Sequence, residues 1–323
     1  MNNNKFRILM VIIIIIASIL SLFVGAYDID VYSLFSNQNN ELLVFMNSRL
    51  PRLLAILMTG IGMSMAGLIM QNLTMNKFVS PTTGATISSA QLGIIIGLTV
   101  FPTANLMLRS TFAFLFSILG TWLFVAFIQR IKFKDVIMVP LIGIMFNSVI
   151  GGLVSHIAYE NDLTQILNNL LIGDFSLILA GRYEIVFLIL PLMVVTYYYA
   201  NHFNIVGMGE SFSKNLGVNY NFIMFIGLTL SALVSASVVV TVGTISYVGL
   251  IIPNIVSMFK GDKIKNNLFD VSLIGALFLL VCDVIGRIIL KPFELPIALI
   301  VGIIGSLVFI YLLFYKLKGN RGI

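Results

Sequence analysis

Charge is scarce in this sequence: only 10% of its 323 residues are Asp, Glu, Lys or Arg, whereas 59% are hydrophobic. A soluble domain carries roughly 25% charged residues, most of them on its surface. A chain of this length with a mean hydropathy of +1.05 cannot bury so many apolar side chains in one or two soluble cores. The shortage of charge therefore excludes an ordinary soluble protein and predicts a membrane protein that crosses the bilayer repeatedly.

Cysteine and histidine are also rare, with Cys282 as the one cysteine and His156 and His202 as the two histidines. A single cysteine excludes an internal disulfide framework and a cysteine-based metal cluster. The sequence has no G-x-x-x-x-G-K-[ST] phosphate loop, no Ser/His/Asp grouping and no metal-binding helix motif. We therefore expect a protein that is not an enzyme and binds no metal or cofactor of its own. The net charge of +6 does not indicate nucleic-acid binding, because the basic residues lie between apolar runs and form no patch.

Long apolar runs are what the sequence has in abundance. In an α-helix about 20 residues cross a hydrocarbon core of roughly 30 Å. Ten runs qualify, at 8–26, 51–72, 84–101, 111–128, 136–158, 184–200, 221–241, 245–259, 271–290 and 296–315. No small-residue cleavage site follows the first run, so we interpret it as a retained helix and not as a signal peptide. The pattern predicts an all-α polytopic membrane protein of about ten transmembrane helices, forming a single domain over residues 1–323.

The loop charges orient the predicted bundle. With ten spans and a cytoplasmic N-terminus, 13 of the 19 basic residues lie in inner segments and 5 in outer ones. The acidic residues run the other way, with 8 of 13 on the outer side. Because cytoplasmic loops carry an excess of Lys and Arg, this bias places both termini in the cytoplasm. The one long inner loop is then predicted at about 201–220.

Only two charged residues, Asp283 and Arg287, lie clearly inside a predicted span. They are four residues apart, so they share a helix face and can form an ion pair. Such a pair either contributes a polar lining or gate, or it locks neighbouring helices together, and we favour the second interpretation. A proton-driven carrier usually has unpaired acidic residues at mid-membrane. Their absence from the predicted spans argues against an ion-coupled secondary carrier.

Three stretches carry a more specific signal than composition does. The first runs from Arg49-Leu50-Pro51-Arg52 through Gly62, Gly67 and Gln71 to the stretch N-K-F-V-S-P-T-T-G at 76–84. The second is G-E-S-F-S-K-N-L-G-V at 209–218, and the third is G-T-I-S-Y-V-G-L-I-I-P-N at 243–254, followed by Asp283, Arg287 and P-F-E-L-P at 292–296. Over residues 45–315 the chain resembles the permease family of ABC importers for iron-siderophores, haem and vitamin B12.

The resemblance implies a ten-helix subunit that pairs with a second permease around a central path, as a heterodimer or a homodimer. It also implies partners: ATPase subunits that use ATP and Mg, an extracytoplasmic binding protein for the siderophore, and the lipid of the bacterial cytoplasmic membrane. The residues that match the family's ATPase-coupling loop are Gly209, Glu210, Ser211, Lys214, Leu216 and Gly217. Arg49 and Arg52 match arginines that dock acidic residues of the binding protein. The alternatives are a passive connector for the loop and headgroup anchoring for the arginines.

The sequence departs from the family pattern at three places. Asn254 replaces a common histidine after the proline of G-L-x-x-P, Ser257 replaces a basic residue, and Lys77 replaces the proline of a common Asn-Pro pair. The 76–83 variant is similar to the branch that handles ferric catecholate-type siderophores such as petrobactin, enterobactin or anguibactin. We therefore expect a ferric-siderophore permease, with a vitamin B12 or haem permease and a secondary carrier as the alternatives.

Overall fold

The computed structural model describes residues 3–25, 39–130, 138–181 and 183–319, and its regular elements in those ranges are all helical. The α-helices are α1 (Asn3–Phe23), α2 (Asn39–Val44), α3 (Leu50–Leu73), α4 (Thr86–Val100), α5 (Leu106–Arg130), α6 (Met138–Glu160), α7 (Thr164–Leu171), α8 (Ile189–Val206), α9 (Glu210–Asn215), α10 (Tyr220–Val242), α11 (Val248–Lys260), α12 (Ile264–Ile288) and α13 (Ile297–Gly319). A π-helical turn, Phe45–Arg49, joins α2 to α3, and a 3-10 turn, Glu184–Leu188, precedes α8. Part of the predicted charge bias falls on residues outside the described ranges, among them Lys132, Lys134, Arg182 and Arg321.

Seven of the described helices are long and apolar enough to cross a membrane, and three shorter apolar helices lie at further predicted positions. The predicted all-helical, multi-span membrane fold is confirmed, while the count of ten spans stays a prediction.

The predicted bounds of several spans were wrong. The second span begins at Leu42 and not at residue 51, and the ninth begins at Ile264, because the polar residues before 271 lower the hydropathy of a segment that is still helical.

The predicted loop at 201–220 is also partly helical. Helix α8 continues to Val206, and the short helix α9 occupies residues 210–215. The non-helical part is therefore confined to a few residues on each side of α9.

Helix α3 is the central element, since it packs against α8, α10, α11 and α12. Small residues make these close packings possible. A Cβ atom on Gly67 would lie 1.8 Å from the Gly249 carbonyl oxygen, and one on Gly60 would lie 2.5 Å from that of Gly275. Such approaches are typical of helix–helix interfaces in membranes, where glycine brings two backbones into contact.

Pro253 interrupts α11, and helix α3 compensates for the interruption. Proline has no backbone N–H, so the carbonyl of Gly249, four residues earlier, loses its helical donor. The Gln71 side chain supplies one, since its Nε2 donates to the Gly249 oxygen at 3.3 Å and to the Leu250 oxygen at 3.1 Å. A neighbouring helix thus satisfies the freed backbone group, as the interior of a membrane requires.

Candidate functional site

One end of the bundle carries a buried ion network at the start of α3. Arg52 donates to Asp283 Oδ1 through Nε at 3.1 Å and Nη2 at 2.8 Å, and to Glu294 Oε2 through Nη1 at 2.5 Å. Asp283 also forms an ion pair with Arg287, one turn further along α12. Since Arg52 and Asp283 are more than nine-tenths buried, the network joins α3 to α12 in a setting from which water is largely excluded.

The same network holds the end of α1. Arg287 Nη1 donates to the carbonyl oxygens of Ser21 at 2.8 Å and Val24 at 2.6 Å, and Arg49 Nη1 donates to the Val24 oxygen at 2.5 Å. The last carbonyls of a helix have no internal partners, and they carry a partial negative charge that favours cations. Two arginines therefore cap α1, a helix that otherwise exposes most of its surface.

The ion network also lowers the pKa of Glu294, a residue in the segment between α12 and α13. Burial by itself would raise the pKa of its carboxyl group, but the hydrogen bond and the charge of Arg52 outweigh it. The pKa of Glu294 is therefore lower than its ordinary value, and the side chain is a carboxylate at neutral pH.

The structure brings together residues that sequence reasoning had assigned separately. The Asp283–Arg287 contact is present, but it is part of a larger set that includes Arg52 and Glu294. Both predicted docking arginines, Arg49 and Arg52, are about 8% exposed and contact groups of this same chain. Glu294 was not singled out, and its position in the short P-F-E-L-P stretch between two apolar runs was the available signal.

At the opposite end of the bundle, α9 and the residues next to it form the predicted coupling loop: Glu210, Ser211 and Lys214 lie in the helix, and Gly209, Leu216 and Gly217 flank it. Gly209 and Gly217 stand on either side of it, with φ of +108° and +72°, values that a residue with a side chain rarely adopts. Glu210 and Lys214 form an exposed ion pair of 2.8 Å, and Ser211 and Leu216 are exposed as well. The helix therefore presents charged and apolar side chains together to its surroundings.

Buried contacts fix α9 and its entry to the bundle. Ser213, which sequence reasoning missed, is buried, and its Oγ donates to the Ile205 oxygen of α8 at 3.2 Å. Asn204 Oδ1 accepts from the backbone N–H of Ile264, the first residue of α12, at 2.9 Å. Gly207 lies so close to α3 that a Cβ there would be 1.8 Å from Asn72 Oδ1. A displacement of α9 would thus reach α8 directly, and would reach α3 and α12 through Gly207 and Asn204.

A bundle of long apolar helices with an exposed short helix at one end and a buried ion network at the other defines a polytopic integral membrane protein. The model of the FecCD transport family matches residues 13–315, and the chain belongs to this family.

The similar proteins include two named for siderophore transport. The petrobactin import system permease protein YclN of Bacillus subtilis is 45% identical, over 96% of this chain and 98% of the relative. The ferric-anguibactin transport system permease protein FatD of Vibrio anguillarum is 42% identical, over 93% and 95%. A solved structure, described as an inward-facing conformation of a metal-chelate type ABC transporter, has a TM-score of 0.80 and 25% identity, over 97% of this chain and 99% of that one.

Proposed function

We propose that this chain is the membrane-spanning permease subunit of an ATP-driven importer that carries a ferric siderophore of the catecholate type across the bacterial cytoplasmic membrane. The observation that carries the proposal is 45% and 42% identity, over nearly the whole chain, to permeases named for petrobactin and anguibactin. The chain forms one permease domain and pairs with a second permease. Separate ATPase subunits use ATP and Mg, and an extracytoplasmic protein delivers the iron complex.

Helix α9 is the element through which the ATPase acts. Its exposed pair Glu210–Lys214, together with the exposed Leu216 that follows the helix, offers both charge and apolar surface to a partner. Because its entry contacts α3 and α12, a push on α9 can bias the helices between inward and outward states. This assignment places α9 and both termini in the cytoplasm, in agreement with the excess of basic residues in the inner segments.

The ion network lies at the outer end and serves two purposes. The Asp283–Arg287 pair, extended by Arg52, locks α12 to α1 and α3. Arg49 and Arg52 contribute to docking of the binding protein, because arginine can hold a carboxylate with two parallel hydrogen bonds. A carboxylate from the binding protein would meet Arg52 where Glu294, about one-fifth exposed, now contacts it.

The proposal is tested by purifying the tagged chain in a mild detergent from its native membrane and identifying the proteins that accompany it. We expect an ATPase subunit and a permease. The recovered complex, placed in liposomes with its binding protein, should take up ⁵⁵Fe-labelled petrobactin or anguibactin only when ATP is present. Uptake driven by an ion gradient without ATP, or repeated purification of the chain without an ATPase, would contradict the proposed function.

A further inference from the structure

Lys77, in the non-helical segment between α3 and α4, joins that segment to the end of α11. Its carbonyl oxygen accepts from Asn254 Nδ2 at 2.8 Å, and its Nζ donates to Ser257 Oγ at 3.3 Å. The same Nζ forms an ion pair with Asp262, in the turn between α11 and α12. One lysine therefore connects the segment after α3 to α11 and to the turn that follows it.

These contacts border the entry to α9. A cleft of about 220 Å³ lies between the Lys77 contacts and Gly207, the residue that leads into α9. Its lining includes Gln71 and Asn72 of α3, Lys77, Asp262 and Gly207. Gly207 packs directly on Asn72, as described above. The C-terminal end of α3 thus lies between α9 on one side and the Lys77 contacts on the other.

Two residues of α11, Asn254 and Ser257, meet Lys77 here. Asn254 contacts the Lys77 backbone, and Ser257 contacts the Lys77 side chain. The cation comes from the segment that faces α11, and its ammonium group lies 3.3 Å from the side-chain oxygen of Ser257.

We propose that Lys77 is a positioning residue for ATP-coupled transport: its cation holds the segment between α3 and α4 against the end of α11 and the turn between α11 and α12. The inference rests on the proposed function. Without the cation the segment after α3 keeps its backbone contact with Asn254 but loses its side-chain contacts with Ser257 and Asp262. Movement that reaches the end of α3 from α9 is then passed less completely to the turn between α11 and α12. ATP hydrolysis then proceeds with less transport.

The experiment uses the co-purified complex in liposomes with its binding protein, and measures ATP hydrolysed per ⁵⁵Fe-petrobactin imported. We expect Lys77→Met to raise this ratio about two- to five-fold, the range that one partly exposed ion pair can supply. The double variant Lys77→Met/Ser257→Lys should restore the wild-type ratio, because the new lysine reaches the same Asp262. Lys265→Met, which removes an exposed charge from the first turn of α12, is the matched control and should leave the ratio unchanged.

The outcomes separate the two proposals. The role of Lys77 is overturned if Lys77→Met hydrolyses as little ATP per imported petrobactin as the wild type, or if the double variant has the same raised ratio as Lys77→Met. In either case, ATP-driven uptake by the wild type still upholds the proposed function. Absence of ATP-driven uptake in the wild type overturns both. Should Lys77→Met fail to assemble, Asp262→Asn carries the same test, because the Asp262 side chain is about two-thirds exposed and its carboxylate contacts Lys77 at the surface; an unchanged ratio in that variant also overturns the role.

Discussion

Arg52 and Lys214 show how burial decides what a charged residue does in this protein. Both take part in ion pairs of 2.8 Å. Lys214 and Glu210 are more than half exposed, so water and salt screen their attraction and the pair contributes little. Arg52 and Asp283 are buried, so loss of one partner leaves the other as a buried charge that water cannot solvate. The same geometry thus contributes little to stability at one end of the bundle and much more at the other.

Asp283→Ala should therefore destabilise the protein by about 3–5 kcal/mol, since Arg52 and Arg287 both lose their shared carboxylate. Glu210→Ala is the matched control and should cost no more than about 1 kcal/mol. Thermal unfolding of the two variants in the same detergent measures the difference. Equal melting temperatures would show that the network does not stabilise this end of the bundle.

Glu294 should make stability depend on pH below the ordinary carboxyl range. Because its pKa is lowered in the folded state, the stabilisation is complete above the unfolded pKa, about 4.3, and is lost as the pH falls through the folded pKa. The melting temperatures of wild type and Glu294→Gln should keep a constant separation from pH 7 to pH 5 and draw together as the pH falls further. A separation as large at pH 3 as at pH 7 would contradict this account.

The short helix α9 depends on its flanking glycines more than on its side chains. Gly217 has φ +72°, a conformation that proline cannot adopt because its ring holds φ near −65°. We expect Gly217→Pro to leave membrane insertion intact but to reduce ATP-dependent uptake at least ten-fold, and Glu210→Arg to uncouple transport likewise. Gly217→Asn is the control, since asparagine tolerates positive φ. Normal uptake by both uncoupling variants at normal expression would remove α9 from the coupling path.

The contact between α3 and α11 depends on the absence of a side chain at Gly67. A methyl group there would lie 1.8 Å from the Gly249 oxygen, so the two helices must separate. We expect Gly67→Ala to lower stability by about 1–3 kcal/mol, the usual cost of overpacking. Gly151→Ala is the control, because a Cβ at Gly151 meets nothing within 4 Å. Thermal unfolding that does not distinguish the two would mean that the α3–α11 contact relaxes without cost.

At the scale of the whole molecule, α1 is attached to the bundle through its two ends. Asp270 of α12, which is buried, forms ion pairs with Arg7 of α1 at 2.9 Å and with Lys260 at 2.8 Å. At the other end Arg287 and Arg49 cap the helix. Most of the surface between these points is apolar and exposed, as expected of a helix that faces lipid. Polar contacts at both ends thus fix the position of α1 against the bundle, because its apolar packing is limited.

The proposed docking of a binding protein depends on the assembled surface at the Arg49 and Arg52 end of the bundle. Reversal of Arg49 and Arg52 to Glu should weaken docking, and more strongly at low salt, because opposite charges attract over a longer range there. Arg49→Glu is the sharper single variant, since Arg52 also holds Asp283. Arg109→Glu, at another predicted outer position, is the control. The measurement is the affinity of each variant for the binding protein at low and at high salt. If the Arg49 and Arg52 variants bind as tightly as Arg109→Glu under both conditions, the two arginines take no part in docking.

The sequence by itself determined the class of the molecule, the approximate places of its helices and the local Asp283–Arg287 contact. Apolar runs are continuous in the chain, and residues four apart meet on any helix, so neither feature needs a tertiary structure. Only the tertiary structure decided that Arg52 joins Asp283 and Glu294, that Gln71 serves the carbonyl freed by Pro253, and that Lys77 meets Ser257 and Asp262. These partners are 178 to 242 positions apart in the five contacts, and the packing of α3 against α11 and α12 brings them together. No local pattern encodes such distances, because they depend on how closely the glycines of those helices allow the backbones to approach.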